Sequence, residues 1–106
     1  MVAELNEGEG FAGYVWFGVS ERPFSGGKIG WIYDIMVKRD FRGRGIGEAL
    51  VRHALKVSRE RGFDQIGLMV NAKNGVASRL YEKLGFKTEY MVMNKTEPEA
   101  FSSSNT

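Results

Sequence analysis

The stretch from Ile32 to Val57 constrains this chain more than any other. It sets an apolar run, Ile32-Tyr33-Asp34-Ile35-Met36-Val37, ahead of a glycine-rich turn, Arg42-Gly43-Arg44-Gly45-Ile46-Gly47, and a helical pattern follows both. A strand that feeds a tight turn and then a helix satisfies all three. Gly43, Gly45 and Gly47 let the backbone turn sharply and approach a ligand closely. The helix that opens there carries free N–H groups and the positive end of its dipole, and Arg42 and Arg44 add charge at the same spot. This combination reads as an anion site, for a pyrophosphate or another phosphate-bearing ligand.

The rest of the composition narrows the choice. A chain of 106 residues suits one domain. With 42% apolar residues it has enough to build a core, and a net charge of only +2 does not imply a general nucleic-acid binder. There is no cysteine, which excludes a thiolate metal site and a cysteine nucleophile, and a single histidine, His53, argues against a histidine metal cluster. No apolar run approaches the ~20 residues of a membrane span, and no signal peptide is visible, so the cytoplasm is the expected location.

Read in order, Met1 to Leu5 forms a short strand, and Asn6-Glu7-Gly8-Glu9-Gly10 a turn. Phe11 to Val19 is a second strand, rich in aromatic and β-branched residues. Glu21 to Lys28, with Pro23 and Gly26-Gly27, is a loop between antiparallel strands. Ile29 to Val37 is the third strand, with Trp31, Tyr33, Ile35 and Val37 on one face and Ile32, Asp34 and Met36 on the other. Apolar residues on both faces make it central.

The helix after Gly45 carries Ile46, Ala49, Leu50, His53, Ala54 and Val57 as one buried stripe. Gly62 ends it, beyond the solvated Arg59, Glu60 and Arg61. Gln65 to Asn71 is a strand with Ile66, Leu68 and Val70 on one face, parallel to the third strand through a right-handed crossover. A second helix, about Gly75 to Leu84, turns Ala77, Leu80, Tyr81 and Leu84 inward, and Gly85-Phe86 stops it in a Schellman motif. Phe86 to Asn94 alternates as a last strand, and Thr96 to Thr106 is expected to be a disordered tail outside a domain of residues 1–95. Trp16, Trp31, Met91 and Met93 are expected to pack the sheet, and His53 to be a satisfied core histidine.

Spacing separates three phosphate motifs. The Walker pattern requires Gly-Lys-Ser/Thr, and Gly47 is followed by Glu48. The dinucleotide fingerprint requires G-x-G-x-x-G and an acidic residue after the next strand, but the glycines here run G-x-G-x-G and Asp64 precedes that strand. The third pattern is Arg/Gln-x-x-Gly-x-Gly/Ala between strand and helix, and Arg42, Gly45 and Gly47 match it. A fragment of a disordered arginine-glycine RNA-binding tract carries little weight beside it.

With that match the sequence resembles the GNAT superfamily of acyl-CoA-dependent N-acetyltransferases. The first block is Ile32 to Val37 with Arg42 to Gly47. The second is Leu68-Met69-Val70-Asn71-Ala72-Lys73-Asn74 with Ala77, Leu80-Tyr81 and Leu84-Gly85-Phe86. The resemblance spans nearly all of Val2 to Lys95 and implies an α/β fold with a mixed α+β sheet, ordered β-β-β-α-β-α-β. It leaves the family's N-terminal strand and two helices without a counterpart. A truncated domain, a misplaced start and a protein completed by a partner all remain open.

The resemblance also implies a chemistry. Acetyl-CoA would be the acyl donor, its pantetheine arm lying along Ile35, Met36 and Val37. Arg42, Gly43, Arg44, Gly45, Ile46 and Gly47 would wrap its pyrophosphate, and Asn74 would contact it. Backbone amides of the strand would stabilise the developing oxyanion. Tyr81 would protonate the leaving thiolate, although, judged without the resemblance, its apolar helix face favours a core residue over a catalytic one. A primary amine would attack directly, without an enzyme nucleophile. The glutamate that relatives acting on protein N-termini carry is replaced by Met69, leaving Asp34, Glu21, Tyr33 or a water relay as candidate bases. The acceptor, a small molecule or a protein amine, is not readable. The second functional reading is a CoA-binding or assembly module without catalysis. An incompletely covered sheet that carries Phe11, Tyr14, Trp16 and Phe17 also predicts a homodimer or a partner-completed assembly.

Overall fold

The computed structural model describes residues 1–8 and 10–98. Four strands form one sheet in the order β1-β2-β3-β4: β1 (Val2–Glu7), β2 (Gly10–Glu21), β3 (Lys28–Val37) and β4 (Ile66–Leu68). The first three are antiparallel neighbours, and β4 runs parallel to β3. Helix α1 (Ile46–Glu60) connects β3 to β4, and α2 (Gly75–Lys83) follows β4. No described helix is long and apolar enough to cross a membrane.

The core lies between the sheet and α1. Ala12, Val15 and Phe17 from β2 and Ile32 from β3 meet Ile46, Leu50, Val51 and Ala54 from α1, and Tyr81 of α2 joins them. Each fully buried aliphatic side chain of this set contributes roughly 1.5–3 kcal/mol. The buried Ser58 rests on Gly30, where a Cβ would stand 2.7 Å from the serine Oγ, so the helix sits this close to the sheet only because residue 30 has no side chain. Both helices end in the expected Schellman geometry. Phe63 N–H donates to Ser58 and Gly62 N–H to Arg59, while Phe86 N–H donates to Tyr81 and Gly85 N–H to Glu82.

Several expectations need correction. The faces of β3 do not alternate without a break. Trp16 pairs with Asp34 and Phe17 with Ile32, so Tyr33 is an extra, bulged residue. The bulge exposes Tyr33 and Asp34 in succession and turns Ile35 and Val37 to the same side as Ile32. The buried stripe of α1 is rotated: Val51 and Ser58 are buried, whereas Ala49 and His53 are exposed. His53 meets Phe17 edge-on at 6.1 Å rather than filling the core. Trp16 packs only in part, against Tyr33 on the neighbouring strand, and stays half-exposed, and Met91 and Met93 are largely exposed.

The strand read over Gln65 to Asn71 is only Ile66–Leu68. Its pairing ends at Ile32↔Leu68, where the bulge turns β3 away. The last strand, Phe86 to Asn94, does not form. Alternation alone does not make a strand: among the described residues no strand pairs with this segment, whose residues beyond Phe86 are exposed. Glu9 of the first turn and the tail beyond residue 98 lie outside the described residues.

Candidate functional site

Past Ile32, β3 keeps β2 on one edge and, among the described residues, has no strand on the other. A short 3-10 turn, Arg39–Phe41, follows it, and the glycine turn then enters α1. Gly43 and Gly45 adopt φ of 79° and 78°, a left-handed conformation that a side chain would strain, and nothing stands within 4 Å of either Cβ position. Gly45 is the N-cap of α1, and no side chain caps the helix. The first amides of α1 therefore point their donors and the dipole's positive end into open space.

These parts surround a cleft of about 730 Å³ between the end of β3, the start of α1 and the inner face of α2. Ile35, Met36 and Val37 form one wall, Arg42, Gly43, Gly45, Ile46 and Gly47 the end, and Asn74 and Tyr81 the side of α2. Tyr81 and all the residues expected to hold the cofactor thus converge except Arg44, whereas the candidate bases Glu21, Tyr33 and Asp34 do not line the cleft. The Arg44 guanidinium lies over the Phe41 ring, 5.2 Å from the centroid, and does not line the cleft. Arg42 is held by its Nε, which donates to the Val37 carbonyl at 3.2 Å. Asn74 has a structural duty as well, because its Oδ1 caps α2 by accepting from Ala77 N–H at 3.2 Å. Its side-chain amide N–H groups remain available.

Tyr81 is 8% exposed and makes an edge contact with Phe86 at 5.7 Å. Burial, and then the charge of Asp34, push its phenol above the ordinary tyrosine value, so the hydroxyl keeps its proton at neutral pH. Among the described residues the hydroxyl has no hydrogen-bond partner. A protonated phenol facing a cleft is a proton donor in waiting.

Phe41, Glu48, Val76, Ala77 and Leu80, to which the sequence assigned no site role, also line the cleft. Glu48 accepts from Lys83 Nζ at 2.8 Å and pairs with Arg52 Nε at 3.3 Å, tying α1 to α2. Lys83, then Arg52, holds its carboxyl below the usual carboxylate range. The i,i+4 spacing of Glu48 and Arg52 was visible in the sequence, whereas the contact with Lys83 was not.

Comparison with known proteins bears on the whole arrangement. A Pyrococcus furiosus structure assigned as an acetyl transferase superposes with a TM-score of 0.78 at 39% identity, covering 88% of this chain and 62% of that one. A mycothiol acetyltransferase of Saccharomonospora viridis is 37% identical over 90 residues, covering 82% of this chain and 29% of the relative. An uncharacterized N-acetyltransferase of Methanocaldococcus jannaschii is 38% identical over 65 residues, covering 61% of this chain and 29% of the relative. The chain thus spans less than a third of the length of these two curated relatives. Residues 1–86, which hold the sheet, the glycine turn and the cleft, match the acetyltransferase (GNAT) family, and the chain belongs to that family.

Proposed function

We propose that the chain is an acetyl-CoA-dependent N-acetyltransferase acting on a primary amine of a small molecule or protein by direct attack. One observation carries the reading: the open edge of β3, the uncapped start of α1 and the buried phenol of Tyr81 meet in one cleft. Acetyl-CoA would supply the activated acyl thioester and an anionic pyrophosphate. The residues fit such a group, since the glycine cradle is vacant of side chains and its donors are unsatisfied.

Backbone N–H groups from Gly43 to Gly47, with Arg42, would hold the pyrophosphate, and Arg44, resting on Phe41 outside the cleft, would add positive charge nearby. Ile35, Met36 and Val37 offer backbone partners to the extended arm, and Asn74 adds a side-chain donor. Amides of the β3 edge stabilise charge on the carbonyl oxygen. As the acceptor nitrogen forms its bond to the carbonyl carbon, the C–S bond breaks and Tyr81 gives its hydroxyl proton to the departing sulfur. The amine's surplus proton passes to solvent or to a nearby carboxylate. No cysteine or other enzyme nucleophile takes part.

Calorimetry with acetyl-CoA, CoA, NAD and ATP tests the reading. Micromolar binding of the CoA compounds alone, lost in Arg42→Glu/Arg44→Glu, supports it, and folded protein that binds no CoA at millimolar concentration overturns it. Binding without turnover on any amine, unaffected by Tyr81→Phe, would instead identify a non-catalytic CoA-binding or assembly module. The reading includes a cytoplasmic protein that works as a homodimer or with a partner, joined through the free edge of β1, where Val2 is 58% exposed. A monomer by light scattering at high concentration overturns the association.

A further inference from the structure

The sheet face turned away from α1 carries a cluster that the cleft does not use. We propose that Asp34, oriented by Tyr14 and flanked by Trp16 and Tyr33, receives the acceptor as its ammonium ion. The preferred acceptors are then primary amines with a flat or apolar group beside the cationic nitrogen. The inference rests on the acetyl-transfer reading above and names the substrate class of that site.

Register brings the residues together. Val2, Trp16 and Asp34 form one cross-strand row, and Glu4, Tyr14 and Met36 the next, on the same face. The Tyr14 hydroxyl donates to Asp34 Oδ2 at 2.5 Å, which fixes the carboxylate and leaves Oδ1 without a hydrogen bond among the described residues. The chain has 15 lysines and arginines, yet none of the described ones forms an ion pair with Asp34. A fixed, exposed carboxylate without a cation is suited to receive one.

The rings beside it are held in place. Tyr33 lies against Gly18, where no side chain blocks it, and its hydroxyl donates to the Val19 carbonyl at 2.6 Å. Trp16 meets it with ring centroids 5.0 Å apart and stays 48% exposed. Exposed aromatic faces attract a cation and cover the apolar group attached to it. Glu4, opposite Tyr14, adds negative charge to the approach.

Position connects the cluster to the chemistry. Asp34 is one residue before the open-edge segment Ile35–Val37, about 3 Å along the strand. Its charge also reaches Tyr81 and helps to keep that phenol protonated. The acceptor nitrogen would thus arrive beside the strand edge from the face opposite α1, while the proton donor lies on α2. The nitrogen would give one ammonium proton to Asp34 or to solvent before it attacks as the neutral amine.

The test uses phenethylammonium and its uncharged analogue 2-phenylethanol as probes, titrated at pH 7 into protein saturated with CoA. The signal is the NMR shift of the Trp16 indole N–H, assigned with Trp16→Phe. Saturable binding of the ammonium ion, weakened about tenfold in Asp34→Asn and severalfold in Tyr14→Phe, supports the proposal. Unchanged CoA affinity in both variants shows that they are folded. Equal binding of the two probes, or an Asp34→Asn variant with wild-type affinity, overturns the proposal alone. Wild-type protein that binds no CoA overturns the transferase reading and this inference with it.

Discussion

The two halves of β3 share β2 as a neighbour on one edge and differ on the other. From Gly30 to Ile32 the strand is paired on both edges, and Gly30 and Ile32 are buried between the sheet and α1. From Tyr33 to Val37 the β4 side is open, Tyr33 and Asp34 are exposed, and Ile35, Met36 and Val37 are half-buried at the cleft. One bulged residue separates them. A strand paired on both edges has satisfied its backbone and has none left for a ligand. The half that lost β4 keeps free backbone groups at the place where α1 begins, and the paired half holds them rigid. Stability is therefore concentrated in the first half, and the proposed chemistry in the second.

Substitutions on the two sides should separate accordingly. The largest effect is expected from Tyr81→Phe, which removes the proposed proton donor beside the open half. Transfer to an amine should fall by about 10²–10⁴-fold while CoA affinity is unchanged, as read by steady-state kinetics and calorimetry. The same variant has a pH signature. The folded protein holds the Tyr81 proton more tightly than the unfolded chain does. Its stabilising effect is present below the unfolded value of about 10 and is lost as pH rises through the higher folded value. Tyr81→Phe should lack that part of the alkaline loss in thermal melts, and the wild-type rate should not decline through loss of the Tyr81 proton until above about pH 10.

Next comes the paired half. Ile32→Ala removes a side chain that is 4% exposed and should cost about 2–5 kcal/mol in denaturant unfolding. Under conditions where the variant is still folded, its CoA affinity should stay near wild type. A loss of affinity as large as the loss of stability would break the division between the halves.

Arg42→Glu/Arg44→Glu acts on the other side. Loss of one charge-assisted contact of ~1.5–3 kcal/mol at Arg42, with the charge reversed at both positions, predicts about a hundredfold weaker CoA binding, with melting temperature little changed. Single substitutions sharpen the point. Arg42 lines the cleft and Arg44 rests on Phe41, so Arg42→Gln should weaken binding more than Arg44→Gln.

The smallest effect belongs to the link between the helices that frame the cleft. Lys83 and Arg52 lower the carboxyl pKa of Glu48, so this stabilisation exists above the unfolded value of about 4.3 and is lost as pH falls through the lower folded value. Glu48→Gln should lower the melting temperature slightly at pH 7, and the difference should vanish in acid. A difference that persists there would mean that Glu48 acts by packing.

Much of the cleft was legible because its parts are local. The glycine turn, the N-terminus of α1, the two Schellman stops and the inner face of α2 each depend on residues within a few positions of one another. Their backbone conformations follow from glycine's freedom, from helix periodicity and from unsatisfied helix ends. Tyr81 was ambiguous between core and catalysis for a physical reason: it is buried in the core cluster and lines the cleft at once.

What the sequence by itself determined was the order of elements from β1 to α2, the strand–turn–helix at Arg42 to Gly47 and the ends of both helices. Tertiary structure decided the rest, because each remaining feature depends on a partner distant in the chain. The bulge at Tyr33 exists only in register with Trp16 and Phe17, and it reverses the face of every residue after it. The side of α1 that is buried depends on how closely Ser58 can approach Gly30, which puts Val51 inside and His53 outside. Alternation from Phe86 to Asn94 gave no strand, since a strand exists only when a neighbour receives its hydrogen bonds, and among the described residues none pairs with this segment. The pairing of Tyr14 with Asp34, twenty residues apart, follows from the packing of one strand beside another.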